Sequence, residues 1–379
     1  MSKNAKRELL KKVRPRYLKA SKKEKSQILA EFVANTGYNR KYAIHLMKKG
    51  CPRQTSRKVG RRVKYGPDVT AALVTVWKAS GRLCGKRLQP FLGELVAVLE
   101  RHGELVIGTE TKRQLLEMSA ATIDRHLQTA RRQSPQRGRS TTKPGTLLKD
   151  AIPVRTFADW DEQRPGFVEI DLVAHCGETA AGEYLNTLCS IDIETRWTEV
   201  VAVLNKGQKA TFEGIQIMRQ RLPFDLLGID SDNGSEFING HLLRYCTDQE
   251  ITFTRSRPYK KNDQAHVEQK NWTAVRQWVG YGRYESAEAY ALLQAIYTDL
   301  RLFINFFQPV MKLIEKQRVG SKVHKKYDIA QTPYQRLLAS EQVEQAVKDH
   351  LQELYLSLNP VALQHRIEAN LKLLWALER

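Results

Sequence analysis

Three carboxylates stand out by residue type and spacing. Asp171 lies in Phe167-Val168-Glu169-Ile170-Asp171-Leu172-Val173, where apolar Val168, Ile170 and Leu172 alternate with Glu169 and Asp171. A strand's period of two puts both acids on the face opposite the apolar one. Asp232 ends the run Ile229-Asp230-Ser231-Asp232 and opens an Asn233-Gly234 turn. Glu268 follows after 35 intervening residues, and Asp171 precedes Asp232 by 61 positions. An Asp at a strand end holds its carboxylate at a fixed point beside open space. Three carboxylates from separate elements suit hard divalent cations, Mg²⁺ or Mn²⁺, which take oxygen ligands and leave positions for water and phosphate. A pair of such ions activates one oxygen and stabilises another in in-line phosphoryl transfer.

The pattern Asp171…Asp232-Asn233-Gly234-Ser235-Glu236-Phe237…Glu268, with its interval and strand order, resembles the DDE core of integrases and bacterial insertion-sequence transposases over about residues 160–310. The resemblance implies an α/β ribonuclease-H-like core, a mixed five-stranded sheet with helices. It implies Asp171, Asp232 and Glu268 as catalytic residues and as ligands of two Mg²⁺ or Mn²⁺ ions. The implied activity is a DNA transposase. Water cuts at the element's end, the freed 3′-hydroxyl attacks target DNA, and no covalent protein–DNA intermediate forms. Double-stranded DNA, at element ends and target, is the implied partner, with at least a dimer in the active complex. Two other readings stay open: a DNA-binding regulator derived from a transposase, and a ribonuclease-H-like nuclease that does not join strands. The chain departs from retroviral integrases in three places. It lacks their N-terminal His/Cys zinc pattern, it has Lys260, Lys261 and Asp263 where a Gly often precedes the Glu, and it ends in helical patterns rather than a β-barrel.

The elements that must position these acids can be read in order. Leu185–Ile193 and Trp197–Leu204 read as a strand hairpin joined by Glu194-Thr195-Arg196. Asp192 in it is read as structural, paired with Arg196. A helix over 208–222 buries Phe212, Ile215, Met218 and Leu222, and a strand over 225–230 leads to Asp232. A helix over 236–249 and a short strand over 251–254 follow. The polar loop from Arg255 to Asp263 offers Arg257, Lys260 and Lys261 to phosphate. The next helix carries Gln264, Glu268, Asn271, Trp272 and Val275. Asn271, one turn after Glu268, would orient a ligand or contact DNA, and Trp272 is read as core. His175 and Cys176 have no second ligand pair and are read as structural or accessory rather than as a zinc site. Leu293, Ile296, Leu300, Phe303 and Phe307 form a stripe that closes the core.

Charge divides the chain. Residues 1–150 hold 35 Lys or Arg against 11 Asp or Glu, whereas the rest holds 27 against 30. Such asymmetry points to a polyanion-binding module joined to a different one, with nucleic acid the polyanion. No long apolar segment supports a membrane partner. The five scattered cysteines fit neither a zinc site nor a disulfide framework, and a reduced, cytoplasmic, nucleoid-associated protein is expected.

Within the basic part, residues 1–20 read as poorly ordered. Ser21 caps a helix to about Ala34 with Ile28, Leu29, Phe32 and Val33 inward, and Asn39 caps a second with Tyr42, Ala43, Leu46 and Met47 inward. Arg40, Lys41, His45 and Lys48 face outward. This fits a helix-turn-helix or a plain helical hairpin. Arg61 and Arg62 lie in a basic linker suited to a DNA backbone or minor groove. A second helix-turn-helix pattern has Ser119 as cap, Ile123 and Leu127 inward, and Thr122, Arg125 and Gln128 free to meet DNA. The expected division is residues 1–65, 66–150, 151–310 and 311–379, the last a helical C-terminal region, after a basic, irregular stretch at 312–334.

Overall fold

Residues 1–20 form a helix, not a poorly ordered tail. In the computed structural model, which describes residues 1–50, 64–132, 164–257, 264–319 and 321–378, helix α1 spans Lys3–Lys19. Ser2 Oγ accepts from Ala5 N at 3.2 Å. Leu9, Leu10, Val13 and Tyr17 recur at three- and four-residue steps, and Leu10 and Tyr17 are buried against α2 (Lys22–Thr36) and α3 (Arg40–Lys49). That stripe, hidden among eight Lys and Arg in residues 1–20, orders the segment.

Ser21 and Glu24 form a reciprocal capping box at the start of α2, and Asn39 Oδ1 accepts from Lys41 N at 2.9 Å to start α3. Between them Gly37 takes φ 68°, a left-handed turn that suits glycine. Ile28, Leu29, Phe32, Ala43, Leu46 and Met47 make the core. Tyr42, expected inward, is 47% exposed and meets Tyr38 edge-on at 5.1 Å. Ala43, Leu46 and Met47 define the buried arc of α3, and Tyr42 falls outside it. Arg40, Lys41, His45 and Lys48 are not part of that core.

Contacts divide the chain into two units, Met1–Lys64 and Tyr65–Arg379. The second begins with α4 (Pro67–Ala79), α5 (Gly85–Arg101), α6 (Thr109–Leu116), α7 (Ala120–His126) and α8 (Gln128–Arg132). Strands β1 (Phe167–Ala174), β2 (Asn186–Asp192) and β3 (Thr198–Val203) follow, then α9 (Gln208–Arg221), β4 (Gly228–Ser231), α10 (Gly240–Asp248) and β5 (Thr252–Arg255). Next come α11 (Ala265–Lys270), a π-helical turn over Asn271–Arg276, α12 (Gln277–Val279) and α13 (Ala287–Phe307). The chain ends with β6 (Leu313–Val319), β7 (Lys322–Tyr327), α14 (Pro333–Ala339), α15 (Gln345–Ser357) and α16 (Pro360–Ala376).

The expected mixed five-stranded sheet is present, in the order β3-β2-β1-β4-β5. β1, β2 and β3 pair antiparallel, while β1-β4 and β4-β5 pair parallel. Alternation along β1 sorts its side chains as the sequence predicts. Val168, Ile170 and Leu172 join Ile215, Met218, Phe237 and Leu242 in the core on the α9–α10 side. Glu169 and Asp171 face the α11 side, where Glu169 is bonded to Val267 and Asp171 to Asn271.

α13 is the pillar of that second side. Ser286 caps it, and Leu293, Ile296, Leu300, Phe303 and Phe307 are each fully buried. It packs between β3 and α16, and the same apolar cluster takes in residues of α4, α5, α6 and α7. The described part of the expected 66–150 region therefore shares one core with the C-terminal helices. The terminal stripe of Leu363, Ile367, Leu371 and Leu374 packs into that core. The irregular stretch expected at 312–334 is instead largely the β6–β7 hairpin, whose alternation is hidden by Lys and Arg on both strands. Phe303 touches the ring of Trp278 at 5.8 Å, so Phe303→Ala should lower unfolding free energy by about 3–5 kcal/mol. A urea titration followed by far-UV circular dichroism reads it directly.

Candidate active site

β1 and β4 bring two acids side by side. Their parallel register runs from Phe167↔Gly228 to Ile170↔Ser231, and Asp171 and Asp232 stand one step beyond the last pair. Asp171 Oδ2 accepts from Asn271 Nδ2 at 2.6 Å, and its Oδ1 accepts from Leu172 N at 2.8 Å. Asp232 Oδ1 accepts from Gly234 N at 2.8 Å, which sets the turn after β4. Asn233 fixes the same turn: its Nδ2 donates to Ser256 O at 2.8 Å, and its Oδ1 accepts from Arg255 at 3.1 Å.

Gly234 leaves room for a neighbouring carboxylate. A Cβ there would lie 2.6–2.8 Å from the carboxylate carbon and oxygens of Glu236, which folds back over the turn. Glu236 is thereby a third acid of the site, one the sequence showed only as a motif neighbour. Its signal was its place four residues after Asp232, within the turn. Burial pushes the Asp171 carboxyl up to about 8, and the charges of Asp232 and then Glu236 add to the rise. Burial likewise raises Asp232 and Glu236, and Asp232 raises Glu236 further. Among the described residues no Lys or Arg is hydrogen-bonded to Asp171 or Asp232, and only Glu236 has a cation, Lys206, whose charge lowers it.

Glu268 lies on α11, exposed, three residues before Asn271. The described residues contain no group of three His, Cys, Asp or Glu side chains placed to hold a metal ion. Thus Asp171 and Asp232 are brought together, while Glu268 stands on the adjoining helix. Trp272, read as core, is 38% exposed. Val267, Ala274 and Val275 form the buried face of this segment, and Trp272 shares the exposed face with Glu268 at a spacing of four.

Glu169 anchors that helix. It is fully buried, accepts from Val267 N at 2.8 Å and stands 2.7 Å from His266 Nδ1. Alternate acids of β1 thus grip one helical segment twice, Glu169 at the start of α11 and Asp171 at Asn271. Glu169→Ala strands the Val267 N–H in the interior and should cost about 1–3 kcal/mol in a denaturant titration, with Glu169→Gln losing less.

His175 is structural: its Nε2 pairs with Thr187 Oγ1 at 2.7 Å, and burial pushes it down to about 3. Asp192 is structural too, but its carboxylate takes Gly166 N at 2.8 Å and Thr195 N and Oγ1 at 2.7 Å rather than Arg196. Ser119 caps α7, Ile123 and Leu127 are buried, and Arg125 and Gln128 are outside the core. Thr122 is half-buried and accepts from Arg125 Nη2 at 3.0 Å. Arg257 is exposed, and Arg61, Arg62, Lys260 and Lys261 lie outside the described residues.

No family model matches the chain. Among solved structures, the catalytic core domain of BIV integrase is 17% identical, covering 46% of this chain and 95% of that one, with a TM-score of 0.31. The HTLV-2 integrase catalytic core domain in complex with magnesium, in its dimeric form, is 14% identical over 38% of this chain and 90% of that one, with a TM-score of 0.29. Likenesses this distant carry no functional weight, and the case for a function rests on the geometry of the site. The uncharacterized protein y4rM of Sinorhizobium fredii (strain NBRC 101917 / NGR234) is 43% identical over 325 residues, 84% of this chain and 91% of that protein. At that identity and coverage, the chain belongs to the same family as y4rM.

Proposed function

We propose that this protein is a DDE-type DNA transposase, a polynucleotidyl transferase that cuts at element ends and joins the freed 3′-hydroxyl to target DNA. The observation that carries the reading is the pairing of Asp171 and Asp232 on adjacent parallel strands, each raised by burial and with Glu236 added to them. Such crowding fits divalent cations, which relieve the repulsion that neither carboxylate escapes alone. Asn271 Oδ1, buried and without a hydrogen-bond partner, adds a neutral oxygen beside Asp171.

Asp171, Asp232 and Glu268 would hold Mg²⁺ or Mn²⁺, two ions in the full site. When bound, the ions supply Lewis acidity to the attacking and leaving oxygens. The chain's own part is positioning. Asn271 orients the Asp171 carboxylate, Glu169 fixes the start of α11 and hence Glu268, and the Asp232–Gly234 turn keeps Glu236 over the site. Trp272, exposed one turn beyond Glu268, offers a stacking face to a DNA base.

End recognition falls to the basic N-terminal part. Arg40, Lys41 and Lys48 on α3 lie outside its buried arc, as a helix that meets DNA phosphates and base edges requires. Arg125 and Gln128 extend the reading to a second helix pair. Joining two ends at once calls for at least two copies on DNA. No helix among the described residues is long and apolar enough to cross a membrane.

The test is a supercoiled plasmid carrying the DNA ends that flank this gene. The parent protein should nick and join strands with Mg²⁺ or Mn²⁺, and Asp171→Asn should do neither. Nicking without joining would favour a nuclease, and specific binding without cleavage a regulator.

A further inference from the structure

A second charged feature is built from basic side chains rather than acids. It is a cavity of about 700 Å³, walled by the α4–α5 turn, the β2–β3 turn, the α11–α12 segment, the end of α13 and β7. Arg82, Arg87, Arg196, Lys270 and Lys325 line it, and among the described residues no Asp or Glu does. Three of these, Arg196, Lys270 and Lys325, come from residues 151–379, which as a whole hold more acids than Lys and Arg.

Arg196 is the key residue. Its Nη1 is buried and has no hydrogen-bond partner. The carboxylates whose charge reaches it are committed elsewhere. Glu169 takes Val267 N, Asp192 takes Gly166 N and Thr195, and Glu194 pairs with Lys312 at 2.6 Å. A buried guanidinium N–H left without an acceptor costs free energy unless a ligand supplies one. The backbone adds a second, independent sign. Arg196 takes φ 67° and Arg82 φ 64°, in the left-handed region that only glycine enters freely. Two arginines held in that conformation line the same cavity, and strain of this kind collects at binding sites.

We infer that this cavity binds a phosphate group, with Arg196 and Arg87 as its principal donors and Arg82 and Lys325 as supporting charges, while Lys270, pushed down to about 7 by burial, stands in the wall as a further N–H donor. The volume accepts a nucleotide-sized ligand. The phosphate belongs either to a free nucleotide or to the backbone of a DNA strand. The cavity holds its charge whether or not Asp171 and Asp232 take metal, so the inference stands apart from the proposed reaction.

The experiment uses the full-length protein at constant ionic strength, without divalent cation. Inorganic phosphate, thymidine 5′-monophosphate and a short single-stranded oligonucleotide are titrated by calorimetry into the parent, Arg196→Gly and Arg87→Gln. Arg196→Gly removes the guanidinium and relaxes the backbone, and far-UV circular dichroism checks that both variants are folded before titration. Each variant should bind roughly tenfold more weakly than the parent. Loss of small-phosphate binding identifies a free nucleotide as ligand, and loss confined to the oligonucleotide identifies a DNA backbone. Equal binding of all three probes by the parent and both folded variants overturns the inference.

Discussion

Asp232→Asn protein is expected to be inactive in strand joining yet more heat-stable than the parent in metal-free buffer. Both outcomes have one cause. Asp171 is raised from 3.8 to about 8, first by burial and then by the charge of Asp232. A carboxyl whose folded-state pKa lies above its unfolded value favours folding at low pH and loses that contribution as pH rises through the folded value. For Asp171 the loss runs from about pH 4 to about pH 8, so the metal-free parent weakens across that window. Asp232→Asn removes the charge that adds to it. The variant should melt roughly 2–4 °C above the parent at pH 8, with a smaller gap at pH 5. Strand joining should fall by about 10³-fold or more. Differential scanning calorimetry at both pH values, beside the plasmid reaction, measures the pair. A variant that melts lower at pH 8 would show that Asp232 supports the fold rather than strains it.

Glu268→Gln is expected to lose as much activity with no change in stability. Glu268 is exposed on α11, so removing its charge leaves the core intact. Activity should drop by about 10³-fold while the melting temperature moves by less than about 1 °C. Glu236→Gln is the informative companion, because Glu236 is the acid that the fold adds to Asp171 and Asp232. If Glu236 tunes the site without holding the ions, its variant should keep most of the activity and shift the pH profile. Should Glu236→Gln be inactive and Glu268→Gln active, the third carboxylate is Glu236.

The legible parts of the chain were those fixed by short-range periodicity. The alternation in 167–173 placed Glu169 and Asp171 on one face because a strand has a period of two. Ser21, Asn39 and Ser119 announced helix starts because their oxygens accept from free backbone N–H groups. Asp171 and Asp232 are legible through the Asp-Asn-Gly turn and its interval, and they meet because each stands one step beyond the last β1–β4 pair.

The illegible parts depended on distance in the chain or on charge that masked a pattern. Glu169 gave no hint of anchoring α11, since its partner Val267 lies 98 residues away. Arg87, Arg196 and Lys270 come from three separate regions and meet only in the fold. Basic side chains hid the α1 stripe and the β6–β7 hairpin. Tyr42 and Trp272 lie outside the buried arcs of their helical segments, so their aromatic character alone does not give their burial.

Calorimetric titration of Mn²⁺ into the parent and into Asp171→Asn, at pH 6 and at pH 8.5, probes the proposed metal-holding pair. Cations compete with protons for raised carboxylates, so the parent should bind more tightly at the higher pH, and the variant should bind at least tenfold more weakly there. Equal, pH-independent binding by both proteins would contradict the assignment of Asp171 and Asp232 as a metal-holding pair.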